Sequence, residues 1–322
     1  MLRVYTAADG VLRRAELPAG DPIPGEAVWL DMLEPSAEEE LAVEAALGID
    51  IPTREEMREI EISSRLYEED GALYLTAQVV AHADTDAPES TAITFVLTRS
   101  RLVTVRYADP KPFQSFATHA ERHPSACATG EAAFAGLFEA IIDRSADILE
   151  AIGADMDAIS RDVFAQGEAA KGRDFQALLA RIGRNGDLAS KVRESLVSIG
   201  RLLSFSRQVL RTQPERNIHP RLEAISHDIT SLGDYAAFLS NKINFMLDAT
   251  LGMINIQQTD IIKIFSIAAA VFLPPTLIAS IYGMNFTFMP ELHWLLGYPF
   301  ALLLMIVSAI LPYLYFKRRG WL

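Results

Sequence analysis

The chain has 322 residues, with 29 basic and 42 acidic side chains, a formal net charge of −13 and an apolar content of 50%. Such an apolar content excludes a disordered polymer, and the single Cys127 excludes a disulfide framework or a cysteine-built zinc or iron–sulfur site. The charge is unevenly spread: residues 261–322 hold only Lys263, Lys317, Arg318, Arg319 and Glu291, which leaves 25 basic and 41 acidic groups to the first 260 residues. An acidic body of this kind repels nucleic acid.

Residues 1–107 have a mixed α/β pattern, within a first domain expected to span 1–125. LRVYTA, VLRRAEL and AVWLDM are short strand candidates; ALYLTAQVV, TAITFVLTR and LVTVRYA, rich in β-branched and aromatic residues, are stronger ones. Ser100 and Arg101 separate the last two and predict a tight hairpin. Two helices are expected among the strands. Each is opened by a capping box in which a hydroxyl caps a backbone N–H and a glutamate reaches back: Ser36 with Glu39, and Thr53 with Glu56. No targeting segment is legible in MLRVYTAADGVLRR, so the first 260 residues are expected to stay in the cytoplasm.

From about Glu131 the strand signals stop, and residues 126–260 form a helical stalk region. Apolar positions recur at helical spacing through GLFEAIIDRSADILEAIGADMDAI and again through FQALLARIGRNGDLASKVRESLVSIGRLLSFSRQVL. A helical hairpin with a break near Gly167 to Gly172 is the simplest arrangement. Pro214 and Pro220 then precede a helix that nothing ends before Tyr282 except the Pro274-Pro275 pair.

Residues 261–322 form a membrane domain. Ile264 to Tyr282 and Leu295 to Phe316 are free of charge, and a hydrocarbon core about 30 Å thick takes about 20 helical residues to cross. The predicted spans are therefore 264–282 and 295–316, joined by an outer loop 283–294 and followed by a tail 317–322. The loop has no Lys or Arg, whereas Lys263 and the Lys317-Arg318-Arg319 cluster flank the spans. The positive-inside rule places both termini in the cytoplasm and the loop outside.

Enzyme motifs are missing: there is no GxxxxGK[ST] loop, no GxSxG elbow and no HExxH. His119 and His123 share i,i+4 spacing, but Pro124 follows and no third ligand is near, which favours a solvated helix end. The acids between Glu38 and Asp70 form a soluble surface that can also concentrate divalent cations. Along the first span, Thr276, Leu273, Ala269, Ser266, Ile262 and Thr259 fall on one heptad stripe, small or hydroxyl-bearing at four of six positions. Two readings of the stripe are open: ordinary helix packing, or the lining of a water-filled axis ringed by identical copies.

The residues beyond that span carry a resemblance. Tyr282-Gly283-Met284-Asn285-Phe286 is followed by Met289-Pro290-Glu291-Leu292 and Gly297-Tyr298-Pro299, and the chain ends YFKRRGWL. With IIKIFS and FLPPTLIASIYGMNF upstream, and REIEISSRLYEEDGALY in the first domain, this resembles the CorA family of magnesium transporters, marked by a GMN tripeptide closing the first of two C-terminal spans.

The resemblance implies a homopentameric funnel: an α+β cytoplasmic domain, a long helical stalk and two transmembrane helices, in the inner (plasma) membrane. It implies no enzyme and no organic cofactor. The partners would be the lipid bilayer, further copies of the chain and divalent cations: Mg²⁺ first, with Co²⁺ and Ni²⁺ also carried. Gly283, Met284 and Asn285 would form the selectivity filter, and Glu291 would ring the outer mouth. Thr276, Leu273, Ala269, Ser266, Ile262 and Thr259 would line the pore, with the family's apolar gate position falling on Phe265, beside Ser266. Mg²⁺ bound between cytoplasmic domains would hold the pathway shut, with Asp228, Glu223, Glu68, Glu69 and Asp70 as candidate ligands. The alternatives are a zinc transporter of the ZntB type, against which Met284 argues, and a non-conducting membrane-anchored metal sensor.

Overall fold

Strands β1 (Leu2–Ala8), β2 (Val11–Leu17), β3 (Ala27–Leu33), β4 (Leu66–Glu69), β5 (Ala72–Ala81), β6 (Glu89–Leu97) and β7 (Leu102–Arg106) form one sheet in the order β2-β1-β3-β7-β6-β5-β4. Only β3 and β7 run parallel. The structure is a computed structural model describing residues 1–8, 11–18, 20–59, 61–165, 173–211, 218–285 and 289–321. The expected break at Gly167 to Gly172 and the turn at Pro214 lie outside the described residues. The predicted β6–β7 hairpin is present, with Leu97 opposite Leu102 and the Thr98 N–H donating to the Arg101 carbonyl at 2.9 Å.

Strand alternation gives the sheet two apolar faces. Leu30, Met32, Val96, Val103 and Val105 point to one, where Val43, Ile49 and Ile51, from α1 (Ala37–Leu47) and the segment after it, complete a core. Trp29 and Phe95 point to the other and meet Phe113 and Phe116 of α3 (Lys111–Arg122) and Phe134 and Phe138 of α4 (Gly130–Phe164). On that face Asp31 and Arg106, both essentially buried, pair through two 2.8 Å hydrogen bonds, and Thr104 links Asp31 to the Trp29 indole.

The Ser36 capping box opens α1 with both reciprocal bonds in place. The Thr53 box also forms, yet the predicted second helix does not: Glu56–Arg58 is a single 3-10 turn. Apolar side chains there fall at Met57, Ile60 and Ile62, a spacing that makes no helical stripe, and only Met57 is buried among the described ones. The short helix α2 (Ile62–Arg65) and strand β4 follow, neither of them anticipated.

α4, α5 (Phe175–Leu210) and the first part of α6 (His219–Tyr282) pack as a three-helix bundle. Leu222, Ile225, Ile229, Ala236, Leu239, Ile243 and Met246 of α6 are buried at spacings of three and four. Arg221 donates to both carboxylate oxygens of Glu139, at 2.9 and 2.7 Å, and Lys242 bonds Asp157 at 2.6 Å, tying α6 to α4. α6 continues through Pro274 and Pro275 without a break in the assignment. By contacts the chain forms two units, Met1–Leu247 and Asp248–Leu322. The second holds the rest of α6 and α7 (Gly297–Arg318), joined by a segment with a 3-10 turn at Pro290–His293.

Candidate ion pathway

α6 and α7 are long and apolar enough to cross a membrane, and in each only 6% of the most apolar window is buried. A helix from a soluble core would be mostly covered; these are bare, as spans facing lipid are. On the first span Ile267 is buried and Ala270, Val271, Pro274, Pro275, Ile278 and Tyr282 are half-buried, which defines the face turned to protein. On α7 the corresponding stripe is Gly297, Ala301, Met305, Ser308, Pro312 and Phe316.

All six stripe positions, Thr259, Ile262, Ser266, Ala269, Leu273 and Thr276, are exposed on the remaining face, and so is Phe265. The hydroxyls are locally committed: Thr276 Oγ1 donates to the Phe272 carbonyl at 2.7 Å and Thr259 Oγ1 to the Asn255 carbonyl at 2.8 Å. Each thus presents its lone pairs outward. Waters around a cation point their hydrogens away from it, so outward acceptors suit a hydrated cation.

At the end of α6 the Gly283 N–H donates to the Ala279 carbonyl at 2.9 Å and the Met284 N–H to the Ile281 carbonyl at 3.2 Å. These bonds wind the last turn tight and leave Asn285 exposed just beyond it. Phe286 and the side chains of Glu291 and Leu292 lie outside the described residues; the Glu291 backbone belongs to the 3-10 turn. At the other end of the span, Lys263 pairs with Asp260 at 2.9 Å.

The carboxylates proposed for regulation do not converge within one chain. Glu68, Glu69 and Asp70 sit exposed on the β4–β5 hairpin, whose tip uses Asp70 and Gly71 at positive φ. Glu223 lies 3.9 Å from Arg207. Asp228 faces Asp143 of α4, a partner that sequence reasoning missed, although Glu139, Asp143 and Asp147 share i,i+4 spacing. Burial, then the like charges of Glu139, Asp147 and Asp228, push the Asp143 carboxyl above the ordinary range. Among the described residues no group of three or more His, Cys, Asp or Glu side chains is placed to hold a metal ion. His119 and His123 have ring centroids 4.7 Å apart at the end of α3.

An α/β body, a long helix and two bare C-terminal helices of spanning length define a membrane protein. The CorA-like Mg²⁺ transporter protein family model matches residues 24–318, and the chain belongs to that family, a family of transporters. It is 36% identical to the magnesium transport protein CorA of Escherichia coli K12 over 322 residues, all of both chains, and equally so to that of Yersinia pseudotuberculosis. The complete CorA magnesium transporter structure from Methanocaldococcus jannaschii shares the fold at a TM-score of 0.69, with 18% identity over 100% of this chain and 99% of that one. The ZntB cytoplasmic domain of Vibrio parahaemolyticus matches at a TM-score of 0.57, with 10% identity over 78% of this chain and 96% of that one, a likeness of fold alone.

Proposed function

We propose that the chain assembles as a homopentamer in the inner membrane and conducts Mg²⁺ passively into the cytoplasm, with Co²⁺ and Ni²⁺ as further cargo. The observation that carries this reading is the exposed stripe from Thr259 to Thr276, which runs up to Gly283-Met284-Asn285 at the end of the same helix. Fivefold repetition turns the stripe into a lumen. The relatives named for magnesium transport match this chain from end to end, which supports Mg²⁺ as the ion.

Mg²⁺ sheds its water reluctantly. A ring of Asn285 side-chain oxygens accepts hydrogen bonds from the waters of the intact hydrated ion, whereas an aspartate ring would hold it too firmly to release. Glu291 raises cation concentration at the outer mouth. Leu273 and Ile262, with Phe265 or Ser266 between them, form constrictions able to stop flow by dewetting. A potential of 100 mV is worth about 4.6 kcal/mol to a divalent ion, so transport needs no ATP.

The functional division is a sheet domain (1–125), a stalk (126–260) and the membrane part (261–322), with both termini inside. Intracellular Mg²⁺ closes the pathway by neutralising acidic faces between neighbouring subunits. Asp228, Glu223 and the Glu68-Glu69-Asp70 run supply carboxylates there. The test is Mg²⁺ influx into proteoliposomes: Asn285→Ala abolishes it while the particle keeps its pentameric mass. Unchanged influx removes Asn285 from the filter.

A further inference from the structure

β5 is paired with β4 only over Ala72–Leu75. Further along its edge, helix α5 takes over, and the Gln78 N–H donates to Ser198 Oγ at 3.0 Å. Where β4 gives way to α5 a groove of about 360 Å³ opens. Arg65, Thr76 and Gln78 line its sheet side, and one face of α5 lines the other with Ser190, Arg193 and Arg201. Among the described residues Glu194 is its only acid.

Three guanidinium groups around one carboxylate stand out in a body whose first 260 residues carry 25 basic and 41 acidic groups. They are also unspent. Among the described residues neither Arg193 nor Arg201 has an ion-pair partner, while Arg181 on the same helix pairs with Asp155 and Arg207 with Glu223. Among the described residues Arg65 uses only its Nε, on the Glu59 carbonyl, and its terminal nitrogens have no partner there.

The neutral groups are donors as well. Ser204 and Ser206 give their hydroxyl hydrogens to carbonyls one turn back, at 2.8 and 2.9 Å. Among the described residues Ser190 and Ser198 make no such bond, and Ser198 Oγ accepts from Gln78, so its hydrogen is available to the groove. The Gln78 side-chain oxygen is taken by Ser90 at 3.3 Å, which leaves its NH₂ to donate. The groove therefore offers forked cationic donors and hydroxyl and amide hydrogens, the set that recognises phosphate oxygens.

We propose that this groove binds a phosphate-bearing small anion, held between Arg65 at the sheet edge and Arg193 and Arg201 on α5. The occupant bridges the sheet to the helical bundle.

The test titrates the full-length protein in lipid nanodiscs, with divalent ions chelated, against orthophosphate, pyrophosphate and ATP by calorimetry. Saturable binding at one site per chain is expected, weakened at least about tenfold in the Arg193→Ala/Arg201→Ala double variant and kept in Arg13→Ala on the exposed face of β2. Tighter binding of ATP than of pyrophosphate identifies a nucleotide, and equal binding identifies the phosphate group alone; either supports the site. If the double variant unfolds at a lower temperature than the parent, Arg201→Gln takes its place. No saturable binding by any of the three anions, or binding unchanged by the substitutions, overturns the proposal. So does a double variant that binds as the parent does but loses subunits from the particle, since its arginines then serve a neighbouring chain's carboxylates.

Discussion

Thr276 donates its hydroxyl hydrogen to the Phe272 carbonyl at 2.7 Å, so its oxygen meets the outside of the helix as an acceptor only. That polarity is right for waters bound to a cation and wrong for an anion. Replacing Thr276 with Val keeps the shape of the side chain and removes the acceptor. One net hydrogen bond is worth about 0.5–1.5 kcal/mol, so Mg²⁺ influx in proteoliposomes is expected to fall about two- to tenfold, with Thr276→Ser near the parent. Equal influx in the Val and Ser variants would show that this oxygen does not meet the ion.

Leu273 is the most exposed apolar position of the stripe near that threonine, at 65%. In the proposed pentamer five copies of it would meet around an axis and repel water, and a polar side chain there would keep the path wet. If internal Mg²⁺ closes the pathway as proposed, Leu273→Ser is expected to raise influx measured with millimolar Mg²⁺ already inside the vesicles. Influx that stays at the parent's closed level separates Leu273 from the gate.

Much of this architecture was legible in the residues. The two spans, the helical hairpin before them and the long helix that becomes the first span all follow from apolar spacing and charge-free length. The short elements between Thr53 and Asp70 did not, because their capping and pairing signals are local while their apolar content is thin. Thr53 and Glu56 make their box without a helix behind it, and β4 is an edge strand of four residues whose two glutamates face solvent. The stripe on α6 is visible in both sequence and structure. Its partner face is not, since the proposed ring would be made between chains. Asp143 escaped notice because its environment depends on Asp228, 85 residues away in the chain.

Arg106 and Asp31 offer a test of what holds the sheet domain together. Arg106 is wholly buried and bonds Asp31 twice, and burial, which works against its charge, is outweighed by Asp31 and Asp109 together. Arg106→Met leaves the buried Asp31 carboxylate with only Thr104 and the more distant Arg3, at 3.7 Å, and is expected to destabilise by about 3 kcal/mol. The double variant Arg106→Met/Asp31→Leu should recover part of that, because the buried carboxylate is gone, while Arg3, 3.7 Å from Asp31, and Asp109, bonded to Arg106, each lose a partner. Denaturation followed by the fluorescence of Trp29, which touches this network, reports both. A double variant no better than the single would assign the loss to packing instead.

Asp143 makes a pH-dependent prediction. Its carboxyl is raised above the ordinary value of 3.8 by burial and by Glu139, Asp147 and Asp228. A raised carboxyl favours the protonated form in the folded chain. Its contribution to stability is therefore fully present below about pH 4 and is lost as pH rises through the folded value. Asp143→Asn removes that loss, so the variant should unfold at a higher temperature than the parent at pH 7 and at the same temperature at pH 3. The carboxyl is only partly covered and stays open to solvent, which holds the gain to under about 1 kcal/mol, or about 1–3 °C. Millimolar Mg²⁺ at pH 7 should narrow the gap, because a divalent ion near Asp143 and Asp228 offsets the same repulsion. A gap that persists at pH 3 would trace the effect to packing, and one untouched by Mg²⁺ would exclude this pair from regulation by the ion.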